Sequence, residues 1–186
     1  MALTYSNIPE MNKLAPVFSL KATDGKTYSL DSFKDSKALV IVFICNHCPY
    51  VIAVQERLNE LAKYCQSKNV GFIGINSNDV SEYPEDSMPE MIKRAKEMSY
   101  VFPYVLDETQ SVAKAYGAQC TPDPFLYENV DGEFLLKYQG RIDDSWKDKL
   151  KVKSQDLKNA VDCILQNKPV FSDQKPSMGC NIKWKK

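Results

Sequence analysis

Ala38-Leu39-Val40-Ile41-Val42-Phe43-Ile44-Cys45-Asn46-His47-Cys48-Pro49 is the stretch on which the reading turns. Its first part, Ala38 to Ile44, is a continuous apolar run, the pattern of a strand buried on both faces. Beyond it Val51, Val54, Leu58, Leu61 and Cys65 recur at steps of three and four, one face of a helix from about Pro49 to Gln66. The pair Cys45-x-x-Cys48 therefore falls where a strand gives way to a helix. Unpaired backbone N–H groups and the helix dipole favour a thiolate over a thiol there. Two thiols so close, one of them activated, can cycle between dithiol and disulfide.

Bulk properties narrow the alternatives. The 186 residues suffice for one domain with a sizeable core, expected to span 1–186 with a tail at 169–186. A chain 44% apolar and 26% charged reads as a folded globular protein rather than a disordered one. Lysine plus arginine equals aspartate plus glutamate, 24 each, so no basic surface is implied and nucleic acid is not an expected partner. Residues 1–20 lack a basic start followed by an apolar core, so they do not read as a signal peptide. The longest apolar run is far too short to span a bilayer, so no membrane is expected and a cytoplasmic location is the expectation. The six cysteines (Cys45, Cys48, Cys65, Cys120, Cys163 and Cys180) are too sparse for a disulfide scaffold. In a reducing compartment, the tight pair is a catalytic or metal-binding feature.

Short apolar runs alternate with helical patterns outward from the motif, the order of an α/β domain. Asp24-Gly25 marks a turn between short β-like segments within Ala22 to Asp31. Val70 to Ile75 reads as a second central strand, followed by the polar loop Asn76-Ser77-Asn78-Asp79. Ser87-Met88-Pro89-Glu90 has capping-box spacing and opens a helix to about Met98. Val101 to Leu106, interrupted by Pro103, reads as an edge strand. A second capping-box-like start at Asp107 to Gln110 opens a short helix closed by Gly117. Pro124 to Tyr127 and Glu133 to Tyr138 form a hairpin about Val130-Asp131-Gly132. A last helix runs from about Gln155 to Gln166. The tail beyond carries Phe171, Cys180, Ile182 and Trp184, which suggests that it docks on the domain.

Each chemical candidate has a role in this reading. Cys45, expected to be the more exposed thiol, attacks a substrate disulfide, and Cys48, one turn on, resolves the mixed disulfide. His47, when protonated, stabilises the neighbouring thiolate. Cys65 falls on the apolar face of its helix and Cys163 beside that of the last one, so packing accounts for both. A structural zinc site takes four ligands, often as two separated pairs; only one tight pair is present, and no metal or other cofactor is expected.

Several stretches resemble one superfamily. Ala15-Pro16-Val17-Phe18-Ser19-Leu20 with Asp24-Gly25-Lys26 resembles the N-terminal signature of peroxiredoxins and the TlpA-like thiol–disulfide oxidoreductases. Val42 to Pro49 is similar to their strand-to-active-site segment, and Cys120-Thr121-Pro122-Asp123-Pro124-Phe125 to their T-P-x-x-F loop. The whole resembles a bacterial redoxin family carrying F-I-C-N-H-C-P, I-N-S-N-D and C-T-P-D, with Ser177 to Trp184 included. The resemblance implies a thioredoxin-like fold: a central mixed β-sheet flanked by helices, with an N-terminal β-hairpin extension and a docked C-terminal tail.

The same resemblance implies that Pro122 is cis and faces the C-x-x-C, leaving the backbone of Thr121 free to pair with an extended substrate. Cys120, just before, is either a third redox cysteine or a space-filler, and Cys180 is a possible resolving cysteine. The implied activity is thiol–disulfide exchange on protein or small-molecule disulfides, with a dithiol reductant (thioredoxin-like or a low-molecular-weight thiol) as partner. The alternative is a thiol peroxidase in which Cys48 attacks a peroxide. Thioredoxin's buried aspartate is replaced by Leu39, so its proton relay is not carried over. Arg141, the counterpart of a peroxidase arginine if it has one, is expected instead to pair with Asp143 or Asp144 on the surface.

Overall fold

The computed structural model describes residues 3–7 and 10–186. Part of the 1–20 segment read for a leader thus lies outside the described residues. β4 (Ala38–Phe43) is the central strand, buried at every position. It pairs in parallel with β5 (Val70–Asn76) and antiparallel with β8 (Asp123–Val130). The alternation of a strand sends its side chains to two cores. Ala38, Val40 and Val42 pack with Val54, Leu58, Leu61 and Cys65 of α1 (Pro49–Ser67) and Leu157 and Val161 of α4 (Asp156–Leu165). Leu39, Ile41 and Phe43 pack on the other face with Val112 and Tyr116 of α3 (Ser111–Tyr116). The reading of 38–44 as a strand covered on both sides therefore holds.

The remaining strands are β1 (Leu3–Tyr5), β2 (Ser19–Ala22), β3 (Thr27–Ser29), β6 (Tyr104–Leu106), β7 (Cys120–Thr121), β9 (Glu133–Gln139) and β10 (Met178–Asn181); α2 spans Met88–Glu97. The mixed sheet has the order β3-β2-β6-β5-β4-β8-β9. The segment expected at an edge is an inner strand: β6 lies between β5 and β2, and Pro103 sits just before its first residue, where it costs no ladder hydrogen bond. By the same pairing the N-terminal hairpin extends the central sheet.

Two helix starts differ from the capping-box spacing. Ser87 is the N-cap of α2 but its side chain makes no capping hydrogen bond. For α3 the work is done from further back: the Asp107 carboxylate accepts the Ala113 N–H at 2.9 Å, while Gln110 holds a left-handed conformation at φ 63°. Gly117, at φ 68°, closes that helix as expected.

The tail docks, as its apolar residues suggest, and does so as a strand. β10 is the middle member of a second sheet of order β1-β10-β7. Ile182 is buried in the core that Leu39, Ile41 and Phe43 share with α3. Lys183 is held at its carbonyl by Asp79 N–H (2.8 Å) and Gln110 Nε2 (2.7 Å).

Candidate active site

Ile44 continues β4 by one bond, donating to Ile75 O, and the chain then turns through Cys45, Asn46 and His47 into α1. Cys48 is the N-cap of that helix, in extended conformation (φ −71°, ψ 120°), with Pro49 at the position where a missing N–H is harmless. The turn is fixed from outside by Asp86, at the end of the short turn Pro84–Asp86 that follows β5. Asp86 is fully buried and accepts from Asn46 N (2.7 Å), Asn78 Nδ2 (2.8 Å) and His47 Nδ1 (2.7 Å). Asn46 donates from Nδ2 to Glu85 O at 2.8 Å and accepts from Tyr104 OH at 3.2 Å. His47 stacks on Tyr83, ring centroids 5.1 Å apart.

Thr121 and Pro122 come from the opposite side. Their peptide bond is cis. Thr121 Oγ1 is 3.4 Å from Cys45 Sγ, and Thr121 O accepts from Cys48 Sγ at 3.1 Å. The two thiols and the Thr121-Pro122 loop are thus brought together as the resemblance implied. Two details differ. Cys45 is not an exposed thiol: it is 3% exposed and Cys48 is 0% exposed, because the Asp86 turn, Tyr104 and the loop close over both. Nor is the Thr121 backbone free. β10 pairs with β7 in the register Cys180↔Thr121 and Asn181↔Cys120, so the chain's own tail lies where a substrate strand was expected.

The electrostatics separate the two sulfurs. Burial raises the Cys45 thiol well above its ordinary range, and its hydrogen bond to Cys48 and the Asp86 charge push the same way. Cys48 is lowered, first by the Cys45 thiol donating to it and then by Cys180, the Thr121 hydroxyl and the Val51 N–H. Burial opposes this, as does the Thr121 carbonyl, which a thiol satisfies and a thiolate does not. The donors outnumber these, and the charge of the pair belongs on Cys48. The hydrogen bond to Asp86 raises His47. His47, Cys45 and Asp86 have ligand-type atoms within 4.8 Å of one another. A carboxylate already taken by three donors, one of them His47 itself, reads as a hydrogen-bond hub rather than a metal ligand.

Other candidates fall further out. Cys120 is buried under the loop, 3.6 Å from Ser177 Oγ, and burial and Asp123 raise its thiol. Cys180 is buried beside Cys48 and raised to about 12 by burial and that neighbour. Cys65 is core, raised to about 12 by burial. Arg141 pairs with Asp156 (2.5 Å), not with Asp143 or Asp144; Asp143 is taken by Arg57.

Asp86 is what the sequence reading missed, together with Asn78 and Tyr83. A signal was available: Asp86 follows β5 at the carboxyl end of the parallel strands, where α/β folds gather functional groups. Asp123, another buried acid, was quoted only as part of the loop. It accepts from Gln119 N (3.1 Å), Ser177 Oγ (2.9 Å) and Gln139 Nε2 (3.3 Å), and burial raises it to about 6.

A strand, a cysteine pair at a helix start and a facing cis-proline in a mixed sheet define a thioredoxin-like redoxin, an oxidoreductase that works through thiols. The chain belongs to the AhpC/TSA family, whose model matches residues 11–144. It is similar along its whole length to an uncharacterized conserved protein from Geobacillus kaustophilus, with 45% identity, TM-score 0.93, and 100% of this chain and 97% of that one covered. A hypothetical protein from Sinorhizobium meliloti is 42% identical, with TM-score 0.92 and 98% of each chain covered. A putative thioredoxin from Neisseria meningitidis shares the fold at 24% identity, TM-score 0.62, covering 87% of this chain and 93% of that one. No curated protein matches the chain. Among the described residues, no helix is long and apolar enough to cross a membrane.

Proposed function

We propose that this protein is a thiol–disulfide oxidoreductase whose working couple is the Cys45–Cys48 dithiol and disulfide. The observation that carries the reading is the hydrogen-bonded pair of thiols at the start of α1, one of them lowered, facing Thr121 and the cis-proline. The sequence reading had Cys45 attack first. The electrostatics favour the reverse, because burial, then the hydrogen bond to Cys48 and the Asp86 charge, oppose a thiolate on Cys45 while donors converge on Cys48. The Cys48 thiolate attacks one sulfur of a disulfide RSSR, the S–S bond breaks, and RS⁻ leaves with the electron pair and takes up a proton. Cys45 then loses its proton and attacks the Cys48 sulfur, forming the Cys45–Cys48 disulfide and expelling the second RS⁻. The substrate gains two electrons and two protons, and an external dithiol restores the pair.

A second reading has its own support: a lowered, buried Cys48 in a chain of the AhpC/TSA family suits attack on a peroxide. There Cys48 becomes a sulfenic acid, releasing water or alcohol, and Cys45 condenses with it to give the same disulfide and a second water. Single-turnover assays of Cys45→Ser and Cys48→Ser with a disulfide and with hydrogen peroxide separate the two. Disulfide turnover that needs both cysteines, with only slow peroxide consumption, supports the oxidoreductase. Fast peroxide consumption kept in Cys45→Ser and lost in Cys48→Ser supports the peroxidase.

A further inference from the structure

An extended polypeptide that offers its disulfide to a buried thiol needs two things. It needs an unpaired backbone edge beside the sulfur, and room for its flanking residues. In this molecule the edge beside Pro122 is filled. Cys180 and Asn181 of β10 pair with Thr121 and Cys120. The outer edge of β10 is covered in turn by β1, in the register Leu3↔Cys180, Thr4↔Gly179 and Tyr5↔Met178. The fit is close enough to dictate a residue: a Cβ on Gly179 would stand 1.9 Å from Thr121 O. Both ends of β10 are secured. Ahead of it, Ser177 exchanges bonds with Ser6, N–H to Oγ at 2.9 Å and O from N–H at 3.0 Å. Behind it, Lys183 N–H donates to Asn78 Oδ1 at 2.9 Å, on the same asparagine that holds Asp86, and Lys185 N–H donates to Gln110 Oε1 at 2.8 Å.

What remains open near the pair is small. A cavity of about 260 Å³ lies beside Pro122, walled by Tyr5, Arg141, Trp146 and Met178. Another of about 220 Å³ lies on the far side, against Asn46, His47, Ile52 and Arg94. Both fall below the roughly 300–1,000 Å³ of pockets that enclose drug-sized ligands.

Building on the reading of Cys45–Cys48 as a redox dithiol, we propose that its substrate is a low-molecular-weight disulfide, and that β10 excludes extended protein substrates by occupying the backbone edge at Thr121. The exchange is the two-electron reaction written above with R a small organic group, reset by an external dithiol. Selectivity then comes from the protein's own strand: a protein segment has to displace β10 to pair at Thr121, whereas a small disulfide needs only side chains between the flanking cavities and the buried thiols to give way.

The test compares kcat/KM of the wild-type protein for hydroxyethyl disulfide and for insulin. It repeats the comparison in Gly179→Val, which drives β10 off β7, and follows amide exchange of residues 178–181. The expected result is at least tenfold preference for hydroxyethyl disulfide, slow exchange across 178–181, and a preference that collapses in Gly179→Val through a gain on insulin. Equal wild-type rates on both substrates, or exchange across 178–181 as fast as in an exposed loop, overturns the proposal. These two measurements need no variant, so they decide the matter even if Gly179→Val does not fold. Inactivity on both substrates overturns the oxidoreductase reading itself rather than the exclusion by β10.

Discussion

Cys48 Sγ lies 3.1 Å from the carbonyl oxygen of Thr121, the residue whose next peptide bond is cis. That contact joins the helix start to the facing loop through one sulfur. It also sets up a contest: the carbonyl favours the thiol, while Cys45, Cys180, the Thr121 hydroxyl and the Val51 N–H favour the thiolate.

The donors hold the Cys48 thiol below its ordinary range, so a thiolate on Cys48 at neutral pH is the expected state. Thiolate absorbance near 240 nm, followed against pH, should show a step below the usual range of about 8.5. Cys48→Ser should abolish that step. Cys45→Ser should keep it but move it upward, because the largest lowering contribution is the Cys45 thiol. A low step that survives in Cys48→Ser would put the charge on another sulfur.

His47 is the chain's one histidine, so its imidazole gives a single assignable NMR titration. Its pKa should lie above the ordinary ~6.5 and fall in Asp86→Asn, which removes the hydrogen bond that raises it. The linkage has a definite sign. The folded pKa exceeds the unfolded one, so the Asp86–His47 contribution to stability is complete below about pH 6.5 and is lost as pH rises through the folded value. Denaturant midpoints of wild type and Asp86→Asn should therefore converge on going from pH 6 towards pH 9.

Asp123 is fully buried and raised to about 6 from an unfolded value near 3.8. Here the raised group is an acid, which binds its proton more tightly when folded. Its contribution is present below about pH 4 and is lost as pH rises to about 6, a swing on the order of 3 kcal/mol at most. Asp123→Asn turns one acceptor oxygen into an NH2 facing donors, so it loses stability. Relative to the wild type, however, its stability should rise between pH 4 and 6. A constant difference between the two curves would refute the raised value.

Asn46→Ala removes the side-chain ties to Glu85 O and Tyr104 OH at a residue 6% exposed. Leaving Tyr104 OH buried without that acceptor should cost about 1–3 kcal/mol in urea denaturation. Because the same asparagine anchors the turn between the cysteines, disulfide turnover should drop with it. Tyr104→Phe, which removes the other partner, should cost less.

What the sequence made legible follows from period and length. β4, α1 and β5 carry unbroken or periodic apolar patterns over six or more residues, the β8–β9 hairpin is marked by its Asp131-Gly132 turn, and each appears within a few residues of its expected bounds. β1 and β10 were not legible as strands. They are three and four residues long, and their partners lie at the other end of the chain, so no local pattern announces them. The docked tail was inferred from its apolar residues, but its strand pairing was not. The cysteine pair was found because its chemistry is local, and Thr121 and Pro122 because Cys120 to Phe125 resembles a family loop. Asp86 was missed because its partners, Asn46, His47 and Asn78, come from separate turns that only the fold brings together. The burial of Cys45 was missed for the same reason: its cover comes from distant segments.

The threading of β10 between β1 and β7 also orders events in time. A ribosome releases the chain from its first residue to its last, and a domain's long-range pairings wait for the later partner. Leu3–Tyr5 and Thr121 are made long before Gly179, yet neither can be joined to the strand that separates them until residues 178–181 have been made. The Asp86 turn, Tyr104 and the Thr121-Pro122 loop can therefore gather around the sulfurs before β10 exists. The backbone edge at Thr121 stays open until that strand arrives to fill it.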